Sequence, residues 1–524
     1  MDRRSFLKTA GAVTVAATTS ARAVGTRKPR QAIFMMTDTT RRDMLNCYKV
    51  TGLQTPNLDR IAAEGVRFEH AYTTQPVCAP ARSALWTGTY PHSNGVWGNS
   101  MPLGQTVHTL GEFLSSHNIH CAHVGKWHLD GFDYFGTGKP APGWDPKYWY
   151  DQRDYLMELT PEERVRSRKA RTSRDPDLQA SFTFAHRCSN RAIDFIEKHK
   201  NEDFLLIVSY DEPHGPSVAP TKYGELYAEY GFPRAMNFDD MLENKPEEQR
   251  VWAGDSLKQP VKPLRDRDFF GSLTFVDAEI GRVLDQIDKS TPDALVMYTS
   301  DHGDMLQSHH LMSKGPAMYE EVTNIPLLAR WKGTAPTNVS SDVPASHIDI
   351  SGTFMEFFGL EVPKTFEGGS MLASLKNPKH RSREHCFIEW GRYEVDHDGF
   401  GGFQPIRCVT DGRWKLSIHL LTTDELYDMQ NDPGEMNNLI NDPAHAEMRN
   451  KLHDILLDGM DKSRDPFRGY YWARRPWRPD YPVSWEYHGM TRQRESDGYL
   501  PRELDYDTGL PMKEATRPKV VGKR

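Results

Sequence analysis

The chain has 524 residues, 38% of them hydrophobic and 26% charged, with a formal net charge of −7. That balance fits a soluble globular chain with a large core and room for two domains. Its charge is spread thinly, which excludes a nucleic-acid-binding face, and no apolar run past residue 30 is long enough for stable membrane insertion.

In chain order, the first segment stands apart. "MDRRSFLKTAGAVTVAATTSARA" places Arg3 and Arg4 ahead of Phe6-Leu7-Lys8, then a weakly apolar stretch ending in Ala21-Arg22-Ala23, a small-x-small cleavage pattern. It resembles a twin-arginine export signal. Residues 1–23 are therefore set aside from the fold, the twin-arginine translocase is an expected partner, and a periplasmic or secreted bacterial protein is expected. Cys47, Cys121, Cys188, Cys386 and Cys408 show neither metal-type spacing nor a disulfide framework.

Four short apolar runs predict buried strands, and each stops at a polar cluster. Ala32–Met36 leads into Thr37-Asp38, and Ile119–Val124 leads through Gly125 into Lys126-Trp127-His128. Phe204–Val208 leads into Tyr210-Asp211-Glu212-Pro213-His214, and Leu295–Tyr298 leads into Asp301-His302-Gly303-Asp304. Continuous apolar runs suit strands covered on both faces. Between them, "TPNLDRIAAEG" predicts a helix with Thr55 as N-cap, Pro56 at the first position and Gly65 as the stop; residues 272–289 carry a second apolar helical stripe. The alternation predicts an α/β fold, a large mostly parallel sheet flanked by helices over residues 30–380. In such sheets the site gathers beyond the carboxyl ends of the strands, where these polar clusters lie.

Past residue 380 the texture changes. "IRCVTDGRWKLSI" predicts two strands joined at Asp411-Gly412, and a helix is expected from Ala444 to Met460, so residues 381–460 form a smaller α+β domain with an antiparallel sheet. Residues 461–524 are a tail rich in Trp, Tyr, Arg and Pro. Such aromatics suit packing, against the tail's own domain or in a homo-oligomer, more than ligand binding.

As chemistry, Asp38, Asp301 and His302 offer two oxygens and a nitrogen to a cation, and Arg82, Lys126, His128, His214 and Lys314 offer positive charge. A metal ringed by such groups suits a tetrahedral oxyanion, sulfate or phosphate. Cys78 is expected at the N-terminus of a helix starting near Ala81. Singly, each residue has an ordinary structural role open to it, and spacing alone leaves several reactions open.

Cys78-Ala79-Pro80-Ala81-Arg82, with Thr87-Gly88 and Pro91-His92 behind it, resembles the signature of the formylglycine-dependent sulfatases of the alkaline phosphatase superfamily. "FMMTDTTRRDML", "GKWHL", "DEPHGP", "TSDHGDM", "KGPAMYEE" and "LYDMQNDPGEMNNL" follow in the family's order, over residues 30–440. The resemblance implies that a formylglycine-generating enzyme oxidises Cys78 and that the hydrated aldehyde attacks sulfur, displaces the alcohol and then eliminates sulfate. It implies Asp38, Cys78, Asp301 and His302 as metal ligands and Arg82 and Lys126 as holders of the diol. His128 is implied as base, with His214 and Lys314 on the sulfate. Calcium is the family's usual ion. Two departures matter: Thr39 stands where the family has a second Asp, and His302 where it has Asn. They admit Mg2+, Mn2+ or Zn2+ beside Ca2+, and by removing a carboxylate they also suit a phosphonate or phosphate ester. A silent carbohydrate-binding homologue is the remote alternative. The substrate is expected to be a sulfated carbohydrate or an aryl sulfate. A glycine-rich loop over residues 389–407 supplies Glu389, Arg392, His397 and Asp398 as candidate substrate contacts.

Overall fold

A computed structural model describes residues 28–131, 134–259, 262–394 and 402–482. The export-type segment, His397, Asp398 and the tail beyond residue 482 lie outside the described residues. The strands are β1 Gln31–Asp38, β2 Val66–Phe68, β3 Ala71–Tyr72, β4 His120–Gly125, β5 Phe204–Pro213, β6 Leu295–Ser300, β7 Leu327–Trp331, β8 Val339–Ser341 and β9 Ala345–Ser346. They continue with β10 Cys386–Trp390, β11 Ile406–Thr410, β12 Trp414–His419 and β13 Glu425–Asp428.

Seven strands form one sheet in the order β4-β5-β1-β6-β7-β2-β8. β4, β5, β1 and β6 run parallel, β7 is antiparallel to both its neighbours, and β2 pairs parallel with β8. Every residue of β1, β5 and β6 is buried, as unbroken apolar runs require of strands covered on both faces. Alternate side chains of β1 feed two cores: Ile33 and Met35 join the helices Phe184–His199 and Arg267–Ser290 on one face. Ala32, Phe34 and Met36 join the helices Cys78–Thr87 and Ile348–Phe357 on the other.

The Pro56–Ala63 helix forms as expected, but Thr55 does not cap it through its side chain. The carboxylate of Asp277, from the Arg267–Ser290 helix, accepts the N–H of Leu58 at 2.8 Å and of Asn57 at 3.1 Å instead. A buried carboxylate is the stronger acceptor, and it ties two helices together.

β10 to β13 form a separate antiparallel sheet, with the turn at Asp411-Gly412 closed by Gly412 at φ +95° and by Asp411 Oδ1 accepting the Trp414 N–H at 2.7 Å. The Ala446–Lys462 helix covers it, and the first part of the tail packs on the same core: Trp472 is buried and Trp477 donates to Asp424 Oδ2 at 2.8 Å. The sheet is fixed to the larger part of the chain by buried ion pairs, Lys415 Nζ to Glu320 at 2.7 Å and to Glu435 at 2.9 Å. His419 lies between Glu248, 2.8 Å from Nδ1, and Glu425, 2.9 Å from Nε2. Burial pushes the His419 imidazole down, but the two carboxylates outweigh it and hold it at about 10. A raised folded-state value stabilises below the unfolded value of about 6.5 and is lost as pH rises toward 10. Melting temperature is therefore expected to fall from pH 7 to pH 10. His419→Gln should flatten that slope and cost about 3 kcal/mol at pH 7 in denaturant titrations.

Candidate active site

The parallel strands β1, β4, β5 and β6 end together, and the chain leaving each carries the polar clusters to one edge. Cys78 is the first residue of its helix, three residues ahead of the expected start, because Val77 is extended and Cys78 already helical. Pro80 is tolerated in that first turn, where N–H groups have no intrahelical partner. The N–H of Ala79 goes to Asn99 Oδ1 at 3.0 Å, and Gly88 ends the helix at φ +64°. All ten helical residues are buried.

One donor atom from each of Asp38, Cys78, Asp301 and His302 lies within 4.8 Å of the other three. Cys78 Sγ is 3.3 Å from His302 Nε2, 3.7 Å from Asp38 Oδ1 and 3.1 Å from Lys314 Nζ. The second oxygens of the two carboxylates face cations. Arg82 reaches Asp38 Oδ2 and Asp301 Oδ2, each at 3.1 Å, and Lys126 Nζ reaches Asp38 Oδ2 at 2.7 Å. The Oδ1 atoms are thereby turned inward. Thr39, at φ +66°, donates its hydroxyl to Asp38 Oδ1 at 2.7 Å and its N–H to Asp301 Oδ1 at 3.1 Å, so it orients both carboxylates. His302 Nδ1 lies 2.8 Å from the Gly303 carbonyl, which places the ring hydrogen there and leaves the Nε2 lone pair facing the cluster. Two carboxylate oxygens and a correctly turned imidazole are a donor set that fits a divalent ion.

The electrostatics follow from burial and four nearby cations. Burial pushes Asp38 up, but Lys126, His214, Lys314 and Arg82 outweigh it and hold it well below the usual carboxylate range. Burial and the charge of Asp38 raise Asp301 to about 6 against His302 and Arg82. Burial and Asp38 also push the Cys78 thiol up, yet Lys314, Lys126 and His302 bring it down to about 5. Burial, then Lys126 and Arg82, draw His128 down to about 3, leaving it neutral, and its Nδ1 is buried without a hydrogen-bond partner. Burial and Lys126 lower His214 in the same way.

All six residues expected from the reading of the motifs, Cys78, Arg82, Lys126, His128, His214 and Lys314, thus act on one group of charges. Three that sequence reasoning did not assign join them. Asp211 lies 3.1 Å from Lys126 Nζ, and Tyr134 hydrogen-bonds Asp211, Lys126 at 2.9 Å and His214 Nδ1 at 3.0 Å. Tyr393 feels the charges of Lys314 and Cys78. Asp211 sits in the strand-end cluster and had that signal; Tyr134 and Tyr393 sit in loops without one.

The expected substrate loop needs correction. Glu389 belongs to β10, is buried, and accepts the His92 N–H at 2.8 Å while pairing with His92 Nδ1, so its carboxylate is committed to the protein. A strand-buried acid beside a histidine and Arg407 makes a structural ion pair. Arg392 lies in the following loop, with its carbonyl 3.5 Å from Gln75 Nε2, and the Tyr393 carbonyl accepts the Asn99 N–H at 2.8 Å.

A family model described as Sulfatase matches residues 30–360, and one described as N-sulphoglucosamine sulphohydrolase, C-terminal, matches residues 308–462. The chain belongs to the sulfatase family. This sulfatase is 45% identical over 494 residues to the uncharacterized sulfatase YidJ of Escherichia coli (strain K12), covering 91% of this chain and 96% of that protein. Its fold is similar to BT4656 in complex with its substrate D-glucosamine-2-N,6-O-disulfate, with a TM-score of 0.70 and 23% identity over 84% of this chain and 99% of that one. It is also similar to the phosphonate monoester hydrolase of Agrobacterium radiobacter, with a TM-score of 0.68 and 20% identity over 83% and 96%. At those identities the likeness concerns fold alone. A twin-arginine translocation signal model matches residues 1–20. The sulfatase is a sulfuric ester hydrolase, periplasmic or secreted, and no helix among the described residues is long and apolar enough to cross a membrane.

Proposed function

We propose that this sulfatase hydrolyses the sulfate ester of a sulfated carbohydrate, releasing alcohol and inorganic sulfate, with a formylglycine made from Cys78. The observation that carries the reading is the setting of Cys78 Sγ, 3.1 Å from Lys314 Nζ and 3.3 Å from His302 Nε2 at the start of a buried helix. That sulfur stands where an oxygen of the matured residue would be. When present, the hydrated aldehyde supplies a hydroxyl nucleophile for sulfur, and a divalent ion held by Asp38, Asp301 and His302 supplies Lewis acidity. Calcium is the ion assigned first; the imidazole of His302 suits manganese, magnesium or zinc as the alternative.

The chain's own side chains do the rest. Arg82 and Lys126 fix the carboxylates and the group at position 78. His128, neutral at working pH, accepts the proton of a hydroxyl at that position. Lys314, held protonated by Cys78, Tyr393 and the carboxylates against burial, draws in the sulfate. His214, linked through Tyr134 to Asp211, delivers a proton to the leaving alcohol. A formylglycine-generating enzyme is the maturation partner. Residues 78–82 are buried once folded, so it must meet the chain before folding and before export by the twin-arginine translocase. A sugar sulfate is favoured by the glucosamine disulfate bound to BT4656.

A second reading is a phosphonate or phosphate ester, favoured by Thr39 and His302, which leave the cluster one carboxylate poorer than the family's usual set. Purified enzyme is expected to hydrolyse an aryl sulfate with higher kcat/KM than the phosphate ester of the same phenol. The opposite preference would reverse the assignment.

A further inference from the structure

At the far end of the sheet, where β4 and β5 begin, a second group of donors converges that has no part in the chemistry above. His120 opens β4, the edge strand of the sheet; His199 closes the Phe184–His199 helix; Glu202 lies in the turn entering β5. One donor atom from each lies within 4.8 Å of the other two. His120 Nδ1 is 3.1 Å from Glu202 Oε2, and His199 Nδ1 is 3.0 Å from Glu202 Oε1. The two rings stand edge to face, 4.4 Å apart.

Hydrogen placement decides what this cluster can hold. His120 Nε2 lies 2.7 Å from Asp145 Oδ2, a contact that requires the ring hydrogen on Nε2. In a neutral ring Nδ1 then presents a lone pair to the Glu202 carboxylate, and lone pairs facing each other call for a cation, either a second ring proton or a metal ion. His199 turns another nitrogen to the same carboxylate, and its own Nε2 is buried without a hydrogen-bond partner. A protonated His120 would satisfy its own two carboxylates but would not explain a second imidazole at the same point. The spacing matches a metal. Bonds of about 2.0–2.1 Å to a tetrahedral zinc give ligand–ligand edges of about 3.3 Å, close to the 3.0 and 3.1 Å seen here. A carboxylate on the far nitrogen of a ligating histidine is the usual support for zinc, and Asp145 has that place. The walls are apolar, with Phe195 5.1 Å from the His120 ring and Tyr148 5.4 Å from the His199 ring. Glu202 is 51% exposed, which leaves that side open to water.

We propose that His120, His199 and Glu202 bind a divalent ion of the zinc class, with Asp145 orienting His120 and water completing the coordination. The nitrogen-rich donor set selects such an ion over calcium. The carboxyl end of the Phe184–His199 helix, where His199 sits, adds a favourable field for a cation. The ion staples the edge strand to a turn 82 residues later in the chain.

Full-length enzyme stripped with a chelator and then held in excess calcium can be titrated with Zn2+, reading bound zinc per chain by elemental analysis and the melting temperature in parallel. Wild type is expected to bind one more equivalent of zinc than His199→Gln or Glu202→Gln, and its melting temperature to rise with zinc where theirs does not. Asp145→Asn should weaken the extra site about 10–100-fold. Glu202 is largely in solvent, so Glu202→Gln folds even if a histidine variant does not. Equal zinc stoichiometry and equal thermal response in wild type and Glu202→Gln would overturn the proposal.

Discussion

Cys78→Ser is expected to lower kcat for an aryl sulfate by about 10⁴-fold or more while leaving the melting temperature nearly unchanged. Serine is close to cysteine in size, so the buried helix start keeps its packing. It does not keep the chemistry. A serine has one hydroxyl, and an ester formed on it has no neighbouring hydroxyl to expel the sulfate, so release depends on water attacking a shielded sulfur. Steady-state kinetics with mass spectrometry of the peptide containing position 78 read both halves of the expectation. Wild-type rates in Cys78→Ser, or an unmodified thiol in fully active enzyme, would remove formylglycine from the mechanism.

Arg82→Met should be the most damaging change to stability within the cluster, about 3–5 kcal/mol in denaturant titrations, together with a loss of about 10³-fold or more in kcat/KM. Arg82 is fully buried, and its guanidinium serves Asp38, Asp301, the Lys126 carbonyl at 2.8 Å and Ser209 Oγ at 2.7 Å. Removing it strands two carboxylates in an apolar setting and frees the inward-facing oxygens to turn. Arg82→Lys is expected to recover only part of either loss, because a single ammonium cannot span both acids. A loss below about 1 kcal/mol would mean that Lys126 and Lys314 already suffice for those carboxylates.

Much of the fold was legible because buried parallel strands need unbroken apolar runs. Ala32–Met36, Phe204–Val208 and Leu295–Tyr298 each fall inside an observed strand. The hairpin at Asp411-Gly412 was legible for a different reason, since the turn needs a glycine at positive φ and an acceptor side chain. The errors share a cause. Thr55 has a capping residue's chemistry, yet Asp277, 220 residues from Asn57, takes the helix N–H groups. Glu389 has a sugar-binding residue's chemistry, yet β10 turns it against His92. Local chemistry names what a side chain can do; a distant partner decides whether it is free to do it.

The amino-acid order by itself determined the strand ends, the motif around Cys78 and the charged residues that follow each strand, because burial and turn geometry constrain short stretches strongly. Only the tertiary structure decided which oxygens of Asp38 and Asp301 face inward, that Asp211 and Tyr134 join Lys126 and His214, and that His120, His199 and Glu202 meet at the opposite edge. Those arrangements depend on contacts between residues tens to hundreds of positions apart, and no local pattern encodes a separation in space.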